Sequence, residues 1–330
     1  MKNNTPDIYF QKKYGRLYEK MENGVCEQFK YENNNGTVKN LFIKRAIPIS
    51  LNNTQYYDIT TPYGYGGPII IKEGDKQTNE LVSGYREAFQ NYCFDNNIIS
   101  EFIRFHPIIN NAKDFTDIYK PEFNRKTVGI DLTGDDPIRT EFSKSRKKYI
   151  GQAIRKGVTA DIIKNPEDIS SFKKIYFKTM ERRGAKEYYF FRDDYFDQCL
   201  KTLKKNILLV EASYNSVIVA AELYFLSGKT IHLHLSGTLD EYLHLSPTNV
   251  IRYAVTKWGK EKRFELIHQG GGLSTSIDDP LFLYKKKFGM NTEFDFYISK
   301  HIWNQEIYDE LCAINGVDKA AAETFPAYRI

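Results

Sequence analysis

Hydrophobic residues recur along the chain with two periods, which separate predicted strands from predicted helices. Apolar residues spaced three or four positions apart predict helices at roughly 77–95, 139–157, 170–184, 193–205 and 247–260. Alternating or continuous apolar runs predict strands at 41–49, 56–60, 98–109, 127–133, 158–163, 206–213, 216–227, 229–236, 264–269 and 293–299. The mixture of helices with neighbouring strands predicts an α/β fold with a mixed sheet in each half of the chain.

The ends of several of these elements carry their own signals. Gly157 and Gly184 each follow a helical pattern and are expected to end it, while Pro247 stands at the favoured first turn of a helix. Pro107 stops the strand that begins at residue 98.

The chain has 330 residues, which is more than a single hydrophobic core usually organises. We therefore predict two domains, 1–157 and 158–300, followed by a C-terminal helix and tail at 301–330 that packs back on the first domain.

Composition narrows the class of protein only a little. The 41% hydrophobic and 15% aromatic content supports packed cores, and the net charge of +5 suits an anionic ligand or RNA but is shared by many enzymes. The four cysteines are far apart and form no CxxC pair, which is typical of reduced thiols in a cytoplasmic protein. No run approaches the roughly 20 apolar residues of a membrane span, although peripheral contact with a membrane-bound substrate stays open.

The usual cofactor and metal signatures are absent from the sequence. No GxGxxG, P-loop or GxSxG motif is present, and His232 and His234 share a strand face without a third ligand at plausible spacing. We therefore expect neither a cofactor nor a metal.

A basic stretch marks the predicted helix 139–157, which has seven basic residues and one acid, Glu141. Most of these charges suit a solvated face, but Arg146 falls on the apolar stripe between Phe142 and Ile150. A guanidinium at that position has to find a partner or reach into a cleft.

Two glycine-rich segments, PYGYGGP and QGGGL, permit close approach of a substrate to the backbone. A tight turn alone would explain part of the first segment, so both interpretations stay open. The candidate contacts in the two segments are Tyr63, Tyr65, Gly66, Gly67, Gly270, Gly271 and Gly272.

Several segments together resemble the FemABX-like transferases: SRKKYIGQAIRKGV, YFKTMERRG, SPTNVIRYAVTKWG, the glycine loop after FELIH, and YKKKFG. The resemblance covers nearly the whole chain and is strongest over 139–289. It implies two GNAT-like domains, each a mixed and mostly antiparallel sheet flanked by helices, with a cleft between them. Characterised members carry an aminoacyl group from tRNA to an amine of a UDP- or lipid-linked muropeptide. PYGYGGP and SEFIRFHP look most like a less characterised GNAT-type branch associated with cell-surface polymers.

The family's aromatic-Lys-x-x-Phe-Gly motif falls on Tyr284, Lys285, Phe288 and Gly289. The resemblance implies that Lys285 stabilises the transition state, and a fixed cation in a dry cleft does stabilise a tetrahedral oxyanion. If this segment is a strand, alternation directs Lys286 to the opposite face, toward solvent.

The family's arginine before a helix-ending glycine, which holds substrate phosphate, matches Arg182, with Arg183 as a neighbour able to substitute. The alternative is a basic pair that interacts with the last carbonyls of its helix. Arg104 and Arg146 complete the basic residues expected to contact substrate.

The sequence also departs from the family pattern. His106-Pro107 stands where an Asp-Pro is common. Either the imidazole accepts the proton at that position, or the acceptor of the reaction is a different one. The long helical hairpin that some members insert in the second domain has no room here.

The identity of the donor can be inferred from the absence of a typical CoA-binding loop in the sequence. The nearest match, KYIGQA at 148–153, lies inside a predicted helix whose amides are already used, and Pro247 removes an amide from the equivalent turn of the second domain. We therefore favour aminoacyl-tRNA as donor and a nucleotide-sugar or lipid-linked cell-wall precursor as acceptor. An acyl-CoA-dependent N-acyltransferase of amino sugars is the alternative, and a non-catalytic binding module is a third hypothesis.

Overall fold

The structure is a computed structural model that describes residues 6–51, 53–71, 78–318, 322 and 324–329. Contacts between residues divide the chain into two compact units. Unit 1 contains the start of the chain up to Ile8 together with Arg125–Phe294, and unit 2 contains Tyr9–Asn124 together with the part from Asp295 onward.

This division differs from the predicted boundary near residue 157. The predicted boundary separates a basic helix from the strand that follows it, but in the structure both lie in unit 1. The chain instead passes between the units at 8/9, 124/125 and 294/295. Two of these positions lie within strands, so no turn or linker marks a boundary there.

The described residues form twelve strands and ten α-helices, several of the helices being a single turn. The strands are β1 (Gly24–Asn33), β2 (Gly36–Leu51), β3 (Thr54–Thr60), β4 (Ile69–Ile71), β5 (Ile98–Arg104), β6 (Glu122–Asp131), β7 (Thr159–Lys164), β8 (Ile207–Tyr214), β9 (Val217–Ser227), β10 (Thr230–Thr238), β11 (Leu266–Gly270) and β12 (Glu293–Ile302). The helices are α1 (Lys12–Gly15), α2 (Asn79–Asp95), α3 (Thr116–Tyr119), α4 (Pro137–Glu141), α5 (Lys144–Arg155), α6 (Ser170–Arg182), α7 (Asp193–Leu203), α8 (Pro247–Glu261), α9 (Pro280–Lys286) and α10 (Gln305–Ile314).

The sheet of unit 1 has the strand order β6-β11-β10-β9-β8-β7. All neighbours are antiparallel except β10 and β11, which are parallel and are connected by α8. Helix α8 packs on β7, β8 and β9, and α6 packs on β9 and β10. The core between α5, α8 and the sheet includes Ile150, Leu208, Val255, Ile267 and Phe288.

Unit 2 repeats this plan with different strands. Its order is β1-β2-β3-β5-β12, with β4 beside β2, and its one parallel pair, β3 and β5, is connected by α2. Ile98 and Ile99 are successive residues of β5 but belong to different hydrophobic clusters, one against α2 and one against α10. The sheet is therefore covered by helices on both faces, and the predicted class of mixed, mostly antiparallel sheets flanked by helices is confirmed.

Glycine and proline in the sequence predicted the ends of several helices correctly. Gly157 and Gly184 adopt positive φ angles of 96° and 54°, and the amide after each glycine bonds back to the preceding helix. Pro247 is the first residue of α8, as predicted.

Three predicted elements differ from the structure. The predicted helix 139–157 is two helices, because the chain extends at Phe142 and restarts at Ser143, whose hydroxyl accepts a hydrogen bond from the Arg146 amide. The strand predicted over 98–109 ends at Arg104. The LYKKKFG segment is helical rather than a strand, so side-chain alternation does not apply to its lysines. Among the described residues, no helix is long and apolar enough to cross a membrane.

The core of unit 2 contains a buried acid, Glu101, which is only 2% exposed. Its carboxylate accepts hydrogen bonds from Asn40 and from the indole nitrogen of Trp303, at 2.8 and 3.1 Å. Burial raises the pKa of Glu101 to about 7, although the hydrogen bonds from Asn40, Trp303 and Tyr119 act in the opposite direction.

We expect Glu101→Gln to make the stability of the protein less dependent on pH. Because the pKa of Glu101 is higher in the folded state, its protonation stabilises the fold at low pH, and this contribution is lost as the pH rises through about 7. The unfolding free energy of the wild type should therefore fall relative to that of the variant, by at most about 1.4 kcal/mol per pH unit between pH 5 and 7. Denaturant unfolding across this range measures it, with the exposed Glu122→Gln as control. Parallel curves for wild type and Glu101→Gln would contradict the expectation.

Candidate active site

The candidate site of unit 1 is built around α9 and the glycine loop that precedes it. Asp279 begins the helix: its Oδ1 accepts from the Phe282 amide at 2.9 Å, and Pro280 occupies the first helical position. Its Oδ2 accepts from the Leu273 and Ser274 amides at 3.0 and 2.8 Å. One carboxylate therefore fixes both the start of α9 and the loop before it.

This carboxylate is ionised under ordinary conditions. Burial alone would raise the pKa of Asp279, but hydrogen bonds from Phe282, Ser274 and Leu273 outweigh it and lower the pKa to about 2. Gly272 passes so close that a Cβ atom there would lie 2.2 Å from the Asp279 Oδ1. The third glycine of QGGG is thus required by packing in unit 1.

Lys285 extends from α9 toward the same loop. Its Nζ donates a hydrogen bond of 2.6 Å to the carbonyl oxygen of Gly271, and Arg125 donates to the next carbonyl, that of Gly272, at 2.8 Å. Gly270, at the end of β11, has a positive φ of 73°, which turns the chain into this loop. The structure therefore brings together Lys285 and QGGG, two features that the sequence analysis singled out separately.

The pKa of the Lys285 amine lies close to physiological pH, so that its protonated and neutral forms coexist there. Burial lowers its pKa and the neighbouring Arg252 lowers it further, so that despite Glu222 and Asp279 the pKa falls to about 7. An amine of this kind can exchange a proton, or donate a hydrogen bond as a cation, without a large free-energy penalty.

A buried ion pair between Arg252 and Glu222 is connected to α9 through Gln269. Arg252 of α8 and Glu222 of β9 are 2% and 1% exposed, and Arg252 donates to both carboxylate oxygens, with Nε–Oε2 at 2.8 Å and Nη2–Oε1 at 2.9 Å. The Arg252 guanidinium also bonds to Gln269, whose amide nitrogen reaches the Lys285 carbonyl at 3.4 Å. The network thus connects the sheet, α8 and α9 through fully desolvated groups.

Three residues of the site, Asp279, Glu222 and Arg252, were not predicted from the sequence, although each leaves a signal there. Asp279-Pro280 before an apolar run is a helix-start pattern, and it predicts α9 where a strand was expected. Glu222 is a lone acid within a continuous apolar strand, and Arg252 lies within an apolar stretch of α8. Such isolated buried charges require partners, but a single sequence does not identify which ones.

Tyr284 and Arg146 form the side of the site next to Lys285. The Arg146 guanidinium carbon lies 4.9 Å from the centre of the Tyr284 ring and 5.6 Å from that of Phe288. The Tyr284 hydroxyl donates to Asn249 Oδ1 at 3.2 Å and lies 3.0 Å from Thr248 Oγ1 at the start of α8. Aromatic faces thus lie next to the Arg146 guanidinium, and contact of this side chain with a substrate stays a prediction.

Phe288, predicted to contact substrate, is instead part of the core. Its side chain is fully buried and packs edge-on against Phe142, with ring centres 5.2 Å apart. A ring without accessible surface offers nothing to a substrate, so its role is to support α9. At the neighbouring Gly289, a Cβ atom would lie 1.8 Å from the Gly129 carbonyl, which explains the glycine that ends the motif.

Arg182 and Arg183 end α6 in the same unit. Arg182 Nη1 donates to the Thr238 carbonyl at 3.1 Å and to Asp240 at 3.2 Å, so this side chain is already partnered. For Arg183, partial burial and the adjacent Arg182 lower the pKa, while the Tyr284 phenol opposes them. Although it is partly desolvated, Arg183 keeps a large part of its surface exposed at the end of α6.

The remaining candidate residues lie in unit 2. Arg104 donates from Nη1 to the Thr61 carbonyl at 3.1 Å, and Tyr65 packs edge-on against Tyr9 with ring centres 5.4 Å apart. The Tyr63 carbonyl accepts a 2.7 Å bond from the Tyr14 hydroxyl.

Gly66 and Gly67, by contrast, are buried against unit 2 itself. The Gly66 amide donates to the Arg104 carbonyl at 2.7 Å, and a Cβ atom at Gly67 would lie 2.7 Å from Ile103. Close backbone approach in PYGYGGP therefore serves the packing of this loop rather than contact with a substrate.

His106 is also buried, with 1% of its surface exposed. Its Nδ1 accepts from the Ile109 amide at 3.2 Å, and its ring stacks on Phe10 with centres 5.7 Å apart. A role in proton transfer stays a prediction for this residue, which lies in a different unit from Lys285.

Comparisons with known proteins agree with this architecture. Residues 139–285 match the family model described as "Acetyltransferase (GNAT) domain". FemX has a similar fold, with a TM-score of 0.68 and 13% identity over 94% of this chain and 95% of that one. L-PGS from Bacillus licheniformis gives 0.54 and 13% over 90% and 93%, and a tandem GNAT protein from the clavulanic acid pathway gives 0.50 and 7% over 84% and 83%. No curated protein sequence matches the chain.

The GNAT domain matched over residues 139–285, together with the α/β architecture, supports an acyltransferase. The fold is similar to that of FemX, so the resemblance to FemABX-like transferases indicated by the motifs is confirmed at the level of the fold.

We expect Lys285→Met to remove a pH dependence of opposite sign to that of Glu101. Below pH 7 the buried amine is protonated in both states, and the fold carries the cost of a desolvated charge. Between pH 7 and the unfolded value of about 10.4, the folded state binds fewer protons, so the stability of the wild type rises with pH. The unfolding free energy of the wild type, taken relative to that of the variant, should therefore increase from pH 6 to pH 10. The exposed Lys287→Met is the control, and an equal slope for all three proteins would refute the expectation.

Proposed function

We propose that the protein transfers an aminoacyl group from aminoacyl-tRNA to an amine of a cell-wall precursor, a UDP- or lipid-linked muropeptide. The observation that carries this proposal is the half-buried Lys285 side chain, whose amine is held 2.6 Å from the Gly271 carbonyl in a loop of three glycines. The FemX-like fold and the ordered motifs of the FemABX-like transferases support the choice of donor and acceptor.

The chemistry requires a group that stabilises an oxyanion. The acceptor nitrogen bonds to the ester carbonyl carbon, the carbonyl oxygen becomes negatively charged, and the intermediate collapses with loss of the tRNA ribose oxygen. The nitrogen loses a proton and the departing ribose oxygen gains one. The Lys285 ammonium donates to the oxyanion in place of Gly271, and desolvation strengthens that interaction.

The start of α8 supports a donor other than acyl-CoA. Pro247 supplies no amide at the first helical position, and the Asn249 amide is bonded to the Ser246 carbonyl at 3.0 Å. The amides that would hold a pyrophosphate at this helix terminus are accordingly few. An acyl-CoA-dependent N-acyltransferase of amino sugars remains the second candidate, favoured by the description of the matched family model.

The donor is tested by incubating the protein with UDP-muropeptide and a tRNA pool charged with labelled amino acids. We expect an acceptor whose mass has increased by one aminoacyl residue, and Lys285→Ala should lower kcat by about 100-fold or more. Lys285→Arg should retain part of the activity and hold it above pH 7, where the wild-type amine loses its proton. Labelled product from acyl-CoA and an amino sugar, with none from any charged tRNA, would replace this proposal by the second candidate.

We propose Arg183, rather than its partnered neighbour Arg182, as the contact for the acceptor diphosphate. A bidentate charge-assisted bond to phosphate contributes about 1.5–3 kcal/mol. Arg183→Ala should therefore raise KM for the UDP-linked acceptor by roughly 10- to 100-fold with a small change in kcat. Arg183→Lys should restore binding in part, because it keeps the charge but not the planar fork. Steady-state kinetics measure the split, and a larger KM effect for Arg182→Ala would overturn the assignment.

A further inference from the structure

The segment that contains the glycine loop and α9 exposes an unusual concentration of large hydrophobic side chains. Leu273 is 68% exposed, Ile277 71%, Leu283 41% and Met290 44%. Isolated exposed hydrophobic residues are ordinary on soluble proteins, but four within one short segment indicate a contact surface.

The backbone at two of these residues is hydrogen-bonded to Asp279. The Leu273 amide donates to Asp279 Oδ2 at 3.0 Å, and the Leu283 amide donates to the Asp279 carbonyl at 2.9 Å. Ile277 lies between them on the same loop. We call these three exposed residues, Leu273 and Ile277 of the loop and Leu283 of α9, the 273–283 tip.

Basic and aromatic residues flank the tip. The Ser143 amide at the start of α5 donates to the Lys287 carbonyl at 2.9 Å, which brings the first turns of α5 beside the end of α9. Arg146 lies 5.6 Å from the centre of the Tyr149 ring and 4.9 Å from that of Tyr284, which connects the same two helices. The exposed residues of this flank are Lys144, Lys148, Tyr149 and Lys287.

The acidic groups nearby do not cancel this charge. Asp279 is only 4% exposed, and its carboxylate accepts hydrogen bonds from the loop amides. Glu141 is 3% exposed and accepts hydrogen bonds from Thr292 and Asn291. Glu293 is paired with Lys286 at 2.5 Å. Asp278 is the exposed acid of the tip, against three exposed lysines in the flank.

We infer that the 273–283 tip and its basic flank bind the surface of an anionic lipid bilayer, with the aliphatic side chains among the acyl chains and the lysines at the headgroups. Aliphatic residues at the tip, an aromatic residue beside them and cations behind are the arrangement of interfacial membrane contacts. A nucleic acid would use the lysines and Tyr149, but it offers no apolar medium for Leu273 and Ile277.

This surface goes beyond the proposed function, because it concerns where the protein acts and not which group it transfers. Lys285 follows Leu283 by two residues on α9, so a bilayer at the tip lies beside the candidate site. Bilayer binding is measured without any transfer reaction, and its failure leaves the donor assay untouched.

The inference is tested by sedimentation of the full chain with vesicles of phosphatidylcholine alone and of an equimolar mixture with phosphatidylglycerol. Binding is expected to the mixed vesicles and to weaken with salt. The double variant Leu273→Ser with Ile277→Ser should lower the partition coefficient roughly tenfold or more. Each of Lys144→Gln, Lys148→Gln and Lys287→Gln should lower it about fivefold.

Matched controls are Val217→Ser, another exposed aliphatic residue of unit 1, and Lys262→Gln, an exposed lysine at the end of α8. Both should bind like the wild type, and thermal melting confirms that all variants fold. The inference is overturned if the wild type stays in the supernatant, or if the double variant binds as well as Val217→Ser. It is also overturned if the lysine variants bind tRNA less tightly than the wild type, while the double variant Leu273→Ser with Ile277→Ser binds both tRNA and vesicles as the wild type does.

Discussion

The candidate site depends on charges that have been removed from water and must therefore be paired. Glu222 and Arg252 meet across the interior of unit 1 with two-point geometry, and Gln269 extends the contact to the main chain of α9. Breaking such a pair leaves an uncompensated buried charge, at a cost of about 3–5 kcal/mol. The pair therefore fixes the separation of β9, α8 and α9, and its two charges act on Lys285 in opposite directions.

The Lys285 amine is thus set by its surroundings in two ways. Its position follows from α9, which begins at Asp279 and ends where Gly289 meets β6. Its affinity for a proton follows from burial and from Arg252, which favour the neutral amine. The same side chain is consequently costly to the fold and suited to a reaction in which charge develops next to it, a combination often found at functional sites.

Much of the fold could be predicted from the sequence because its strands and helices have strong periodic patterns and glycine-marked ends. Helix α9 could not, since it is short and its apolar residues also fit a strand, and only Asp279-Pro280 marks its start. The division into units could not be predicted either, because two of the crossings lie inside strands. Of the site residues, Lys285, Tyr284 and Arg146 were recognised from motif or pattern, whereas Glu222 and Gln269 become apparent only when β9 and β11 are placed in the sheet. Phe288 shows the opposite limit, because a motif residue can be retained for packing alone.

Gly289 also has a consequence for how much the site can be changed in length. The helix is fixed at one end by the Asp279 carboxylate and at the other by the backbone contact between Gly289 and Gly129. Inserting or deleting one residue between Asp279 and Lys285 would rotate the rest of the helix by about 100° around its axis. Lys285 would then lie on another face of the helix, away from the glycine loop. The number of residues from Asp279 to Gly289 is therefore fixed by the structure. Variation in this protein can be accommodated before that interval or after it, but not within it.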